Sequence, residues 1–305
     1  MSLKVTNSYH IPVMMQECIE GLNLKSDGIY VDATYGGGGH SEIILSELGP
    51  NGKLVAFDQD PDALNNVPTD DRLIFINHNF QFLANFLNYY KISKVDGILA
   101  DLGISSHQIN EGSRGFSFRS DAPLDMRMHQ SGKLNARQIV NTYDVEELSR
   151  IFRIYGEIRF GWKLSQKIVA VRNTKDIETT GELSDLISEF APAHQRNKAN
   201  AQVFQALRIE VNDEMGSLHR FLSQSITNLN RSGRLVVMSY HSLEDRLVKN
   251  YMSSGNAEGT SSFDAFGRLE SPMKPISRKP IVPGEEELAA NPRSRSAKLR
   301  VAEKR

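Results

Sequence analysis

Three short apolar runs that each stop at an aspartate constrain this chain more than any other feature of its sequence. Ile29-Tyr30-Val31 stops at Asp32, Leu54-Val55-Ala56-Phe57 at Asp58, and Gly97-Ile98-Leu99-Ala100 at Asp101; a fourth run, Leu73–Ile76, lies between the last two. Helical spacing fills the gaps, as in Ser41–Leu48, where Ile44, Leu45 and Leu48 share one side. Short, continuously apolar runs alternating with helices predict a parallel sheet covered on both faces.

Further along, the pattern changes. Val145–Tyr155, Arg159–Arg172 and Glu182–Phe190 have helical periodicity with no β-rich run, so the region from Leu134 to Ala191 reads as a helical insertion. A single long helix over Ala201–Leu229 is predicted to lead back to a strand at Leu235–Met238. Ser253–Ser262, polar and glycine-containing, reads as a mobile loop, and Lys298–Ala302 as a last edge strand.

Composition narrows the class. Hydrophobic residues at 39% and charged residues at 24% exclude a disordered chain. The single Cys18 excludes a disulfide framework and a multi-cysteine zinc site, and the eight histidines are scattered without ligand-like pairing, so no metal is expected. No apolar run approaches the ~20 residues of a membrane span, and Met1–His10 has no signal-like apolar core. A soluble cytoplasmic protein with no membrane partner is expected. The formal net charge of −1 argues at face value against nucleic acid. It hides a split, however: residues 1–113 hold six Lys+Arg against fourteen Asp+Glu, and residues 114–305 thirty against twenty-three.

The strongest local signal is Asp32-Ala33-Thr34-Tyr35-Gly36-Gly37-Gly38-Gly39-His40. Glycines directly after a strand let the backbone approach a ligand and take positive φ, and the helix that follows aims its free N–H groups at it. Asp58, ending the next strand 19 residues after Gly39, is placed to accept both hydroxyls of a ribose. Asp60 and Asp62 compete for that role, with helix capping as their alternative. Loop and acid together indicate an adenosine-type cofactor, either NAD or S-adenosylmethionine. The NAD fingerprint needs glycine or alanine at its third position, which falls here on Ser41 or Glu42. That spacing favours S-adenosylmethionine, whose cationic sulfonium suits a nearby Asp32. Asp101, with Ser105 and Ser106, follows the fourth run and should face the same crevice beyond the strand ends; a capping turn is the plain alternative for the serines.

These motifs, in order, resemble the RsmH (MraW) family of ribosomal RNA cytosine-N4 methyltransferases. The likeness runs through His10–Val13, Tyr30–Gly36 with Gly38–Ser41, Asp58–Pro61, Asp96–Leu99 with Asp101–Ser106, Arg114–Phe118, Pro123–Met128, Phe204–Ile209, Ser239–Arg246, Pro283–Glu287 and Asn291–Ser296. The resemblance implies an α/β fold, a Rossmann-like class I S-adenosylmethionine-dependent methyltransferase sheet with an inserted all-helical domain. Residues 1–115 and 210–305 would form the methyltransferase domain and 116–209 the helical substrate-recognition domain. It implies methylation of the N4 amine of one cytidine in the decoding region of 16S ribosomal RNA, presented as naked RNA or as the assembled 30S subunit. Cofactor contacts fall by this likeness on Gly38, Gly39, His40, Asp58, Phe80, Asp101 and Gln108. Two departures stand out: Lys198-Ala199-Asn200-Ala201-Gln202 where the family has a His-Pro-Ala-Thr-Arg-type run, and His107 where proline is common.

The amine is a weak nucleophile, so Asp101 is the candidate acceptor for its proton, with Ser105, Ser106 and His241 behind it. The target base must leave its stack, and Phe116, Phe118 and Trp162 are candidate stacking partners, each with core packing as its alternative. Arg114, Arg119, Arg127, Arg293 and Arg295 are candidate phosphate contacts. An NAD-dependent oxidoreductase and a non-catalytic RNA-binding assembly factor are the competing readings. Oligomeric state is left open, a homodimer included.

Overall fold

The computed structural model describes residues 12–267 and 270–305, without the side chains of Ser106 and Asn110. His10 and Ile11 of the first motif therefore lie outside the described residues. The chain forms two compact units, one from Met1–Gly103 with Met215–Arg305 and one from Ile104–Glu214.

The first unit is built on a sheet of order β3-β2-β1-β4-β5-β7-β6. Its strands are β1 (Ile29–Asp32), β2 (Lys53–Phe57), β3 (Leu73–Ile76), β4 (Val95–Asp101), β5 (Leu229–Ser239), β6 (Met273–Pro275) and β7 (Lys298–Lys304). The first five are parallel, and β7 runs antiparallel between β5 and β6. The apolar runs are continuous because both faces are covered. Along β5, Leu235 and Val237 enter one core while Val236 and Met238 enter the other. Helices α3 (Leu83–Tyr89), α10 (Glu214–Asn228) and α11 (Ser242–Ser254) supply Leu87, Phe221 and Val248 to the first core. Helices α1 (Met15–Leu22) and α2 (Gly39–Glu47) supply Leu22 and Ile44 to the second.

The second unit is helical: α4 (Ser106–Asn110), α5 (Ala136–Thr142), α6 (Val145–Ile154), α7 (Gly161–Arg172), α8 (Thr180–Ser188) and α9 (Arg196–Asn212). It closes over its own core, with Leu148, Ile168, Leu183 and Leu207 fully buried. α12 (Glu285–Ala290) belongs to the first unit. No helix among the described residues is long and apolar enough to cross a membrane.

The structure differs from two expectations. The long helix predicted over Ala201–Leu229 is two helices, broken at Asp213, which takes φ 46°. Aspartate tolerates that left-handed conformation better than most residues, and the neighbouring Asn212 is already committed to Met126 and Met128 through bonds of 2.8 Å. Strand β7 is not at the edge, because the three-residue β6 pairs outside it. Pro275 suits that edge, where a missing N–H costs no ladder bond. Beyond Ser254 the segment to Ser262 is irregular, as expected of a loop, with side-chain bonds that include Asn250 Nδ2 to Ala257 O at 2.7 Å and Asn256 Nδ2 to Thr260 O at 2.8 Å.

The interior position of β7 is open to test. Leu299 is fully buried there, so Leu299→Ala should cost roughly 2–5 kcal/mol in urea unfolding, the range for a core leucine that cannot collapse around its cavity. A loss below about 1 kcal/mol would instead describe an exposed edge position.

Candidate active site

The carboxyl ends of β1, β2 and β4 bring Asp32, Asp58 and Asp101 to one edge of the sheet. Asp32 is 1% exposed. It accepts from Ser41 Oγ at 2.7 Å and from the Thr34 N–H at 3.0 Å, so one carboxylate pins the glycine loop to the first turn of α2. The other end of the loop is held by Asp58, which accepts from the Gly36 N–H at 2.7 Å and the Asp60 N–H at 2.8 Å. Asp101 accepts from the Tyr240 hydroxyl at 2.8 Å, and its own N–H donates to Thr34 Oγ1 at 2.7 Å.

Among the described residues no lysine or arginine pairs with any of these carboxylates. Burial therefore decides their titration. It raises Asp101 to about 7, against the bond from Tyr240 and with added repulsion from Asp32 and Glu244. It raises Asp58 to about 6 despite the two backbone N–H bonds, and it raises Asp32 as well, against the pull of His40. The Tyr240 hydroxyl is pushed up by burial and by Asp101, which keeps it a donor.

The glycine loop has the conformation its residues allow. Gly38 sits at φ 84° as the N-cap of α2 with no side-chain cap, and a β-carbon there would lie 2.6 Å from the Tyr35 hydroxyl oxygen. A β-carbon on Gly37 would meet no described atom within 4 Å, so room lies over the loop. Gly39 opens α2, and the buried His40 ring has Nε2 3.3 Å from the Val13 carbonyl. Phe80 packs on the first core, its ring centroid 5.0 Å from that of Phe221.

Several further candidates lie in the helical unit. Gln108 and Ser105 form a reciprocal capping box at the start of α4: Ser105 Oγ accepts from the Gln108 N–H at 3.2 Å, and Gln108 Oε1 accepts from the Ser105 N–H at 3.1 Å. The side chain of Ser106 is outside the described residues. His241, in the first unit, is the N-cap of α11. Several expected RNA contacts have other partners. Arg114 is 6% exposed and donates to the carbonyls of Arg127 and Met128, each at 2.9 Å. Arg127 is paired with Asp125 at 2.6 Å. Phe116 is buried, Phe118 is half-buried and packs edge-on against Phe204, and Trp162, 48% exposed, is the most accessible of the three. Tyr240 and Thr34 were not legible as site residues. Tyr240 follows β5 in a polar run, and only the pairing of β5 with β4 places it against Asp101.

A sheet of this order with an antiparallel β7, a glycine loop after β1 and carboxylates ending β1, β2 and β4 defines a class I methyltransferase of Rossmann-like fold. The chain belongs to the MraW methylase family, whose model matches residues 7–305. It is 53% identical to the Ribosomal RNA small subunit methyltransferase H of Parabacteroides distasonis over 97% of both chains. It is also 51% identical to the protein of that name from Flavobacterium johnsoniae, over 99% of this chain and 100% of that one. Membership in a methylase family sets aside the oxidoreductase and the non-catalytic readings. The cofactor is S-adenosylmethionine, and the residues present fit it: carboxylates with no lysine or arginine paired to them among the described residues suit a cationic molecule, and the space at Gly37 admits one close to the backbone.

The raised carboxyl values have a measurable consequence. A carboxyl that protonates near pH 7 when folded and near 4 when unfolded makes the native state bind more protons in between, so its contribution to stability rises as pH falls. Between about pH 8 and 5.5, the wild type should gain on the order of 1–2 kcal/mol relative to Asp101→Asn in chemical unfolding without cofactor. A difference that stays flat would show that Asp101 titrates normally, and one that moves the other way that its pKa is lowered; either would overturn the raised value.

Proposed function

We propose that this chain methylates the exocyclic N4 of one cytidine in the decoding region of 16S ribosomal RNA in the cytoplasm, acting on the small-subunit RNA or the assembled 30S subunit. The observation that carries this reading is end-to-end similarity at about half identity to enzymes named for small-subunit ribosomal RNA methylation. The chemistry of the strand ends supports it.

When bound, S-adenosylmethionine supplies a methyl group activated by a cationic sulfur. Gly38, Gly39 and His40 would bring backbone and the N-terminus of α2 against it. Asp58 would accept the ribose hydroxyls through lone pairs its backbone bonds leave free, and Phe80 would pack against the adenine. Asp32 and Asp101 favour positive charge nearby, and Gln108 completes the expected contacts. Asp101 also has the properties of a proton acceptor for the amine: half-buried, close to neutrality in titration, and hydrogen-bonded to the Tyr240 hydroxyl. Ser105 and Ser106 remain candidates beside it. The helical unit, bounded in the expectation at 116–209, would recognise the substrate through exposed groups such as Trp162.

Of the insertion and tail expected to face RNA, charge favours the tail. Residues 104–214 hold fifteen basic and fifteen acidic residues, whereas 215–305 hold fifteen basic and nine acidic. The positive excess belongs to the returning arm of the sheet unit and not to the insertion. Lys198, in the departing segment, is exposed on α9, while Gln202 turns inward to the Gly156 carbonyl at 2.8 Å.

Two measurements test the proposal. Mass spectrometry of small-subunit RNA should lose N4-methylated cytidine when the gene is deleted; persistence of the mark would refute the target. Asp101→Asn should lower turnover by roughly 10²–10⁴-fold, the usual contribution of a positioned acid–base group. Unchanged turnover would remove Asp101 from the chemistry.

A further inference from the structure

A cavity of about 270 Å³ opens where β5 ends and β7 begins, lined by Tyr240, Ser242, Val282, Arg295, Ser296 and Lys298 among others. Ser239 and Lys298 are paired across these two strands. Following the sheet from β2 through β1 and β4 to β5 and β7 gives Asp58, Asp32, Asp101 and then this cavity. Asp101 thus stands between the glycine loop and the cavity, and the hydroxyl of Tyr240, whose residue lines the cavity, reaches it.

The lining has two characters. The Tyr240 ring and Val282 are flat or apolar, and the serines offer hydroxyls. Arg295 is exposed and makes no ion pair or side-chain hydrogen bond with any described residue. Lys298 and Arg300 share the single carboxylate of Asp245, at 3.3 and 2.6 Å, which leaves that cluster with an excess positive charge. The volume is just below the ~300 Å³ at which small-molecule pockets begin, so it suits one nucleotide rather than a larger two-part cofactor. A flat apolar wall beside two sources of positive charge is the chemistry that recognises a base with its phosphate.

We infer that this cavity receives the acceptor nucleotide of the RNA, with its phosphate at Arg295 and Lys298 and its base on the Tyr240 side, toward Asp101. This rests on the RNA-methylation reading above and adds the place where the target nucleotide sits. Arg295 is a binding residue here and has no part in the transfer itself.

The test uses the full chain saturated with S-adenosylhomocysteine for binding, and small subunits from cells lacking the gene for turnover. Cytidine 5′-monophosphate should bind more tightly than cytidine or inorganic phosphate alone. Arg295→Ala should weaken it about tenfold or more, as expected for losing a charge-assisted hydrogen bond. The same variant should raise KM for the subunit by a similar factor and lower the salt slope of binding by about one, with cofactor affinity held within about twofold. Arg295→Lys should recover part of the loss. The inference fails if Arg295→Ala leaves both the nucleotide affinity and KM within about twofold of wild type, or if the monophosphate binds no better than inorganic phosphate. Wild-type protein that does not methylate the subunit but binds the monophosphate through Arg295 would refute the ribosomal reading and leave the pocket standing.

Discussion

Three carboxylates at the ends of adjacent parallel strands, Asp32 buried and Asp58 and Asp101 half-buried, with no lysine or arginine paired to them among the described residues, are the constraint that the rest of this site accommodates. Burying an ionised carboxylate without a cation is costly, and the remedies are hydrogen bonds or a raised pKa. This chain uses both. Asp32 and Asp58 each accept from two donors, and one donor to each, the Thr34 and Gly36 N–H, belongs to the glycine loop, so bonds that make the charges tolerable also help set the loop's shape. Asp101 accepts from the Tyr240 hydroxyl, and desolvation raises it to about 7. A cationic cofactor relieves what the protein leaves unbalanced. Binding and pre-organisation therefore come from one arrangement.

Several polar residues that attract attention in the sequence serve the backbone. Ser105 and Gln108 close a capping box at α4, and His241 with Glu244 does the same at α11. A cap fixes where a helix starts, and so fixes the side chains next to it. The His241 cap holds the turn in which Tyr240 meets Asp101. Arg114 is an instance on a larger scale: a buried guanidinium that satisfies the carbonyls of Arg127 and Met128 organises the Arg114–Met128 segment and is unavailable to phosphate.

The charge distribution follows the same division of labour. Residues 1–103 carry thirteen acidic and six basic residues, the helical unit is balanced, and the surplus of positive charge is confined to 215–305. The acidic part coincides with the strands that end at the cofactor carboxylates. The basic part coincides with β7 and its approaches, where Arg295, Lys298 and Arg300 cluster. A whole-chain net charge of −1 therefore says little about nucleic acid, because the field that a polyanion meets is local at physiological salt.

The sequence by itself determined the parallel sheet, because buried strands have to be continuously apolar and their ends are marked by Asp32, Asp58 and Asp101. It also determined the glycine loop, because only glycine takes the positive φ found at Gly38 without strain. It could not show that β7 is interior, since β6 is three residues with no periodicity to read. Nor could it separate Phe116 in the core and Phe118 packed against it from Trp162 outside, because an aromatic carries the same signature in each place. The pairing of Tyr240 with Asp101 spans 139 positions. It was decided only when β5 lay beside β4, because a hydrogen bond depends on distance in space and local sequence carries no record of which strand will be its neighbour.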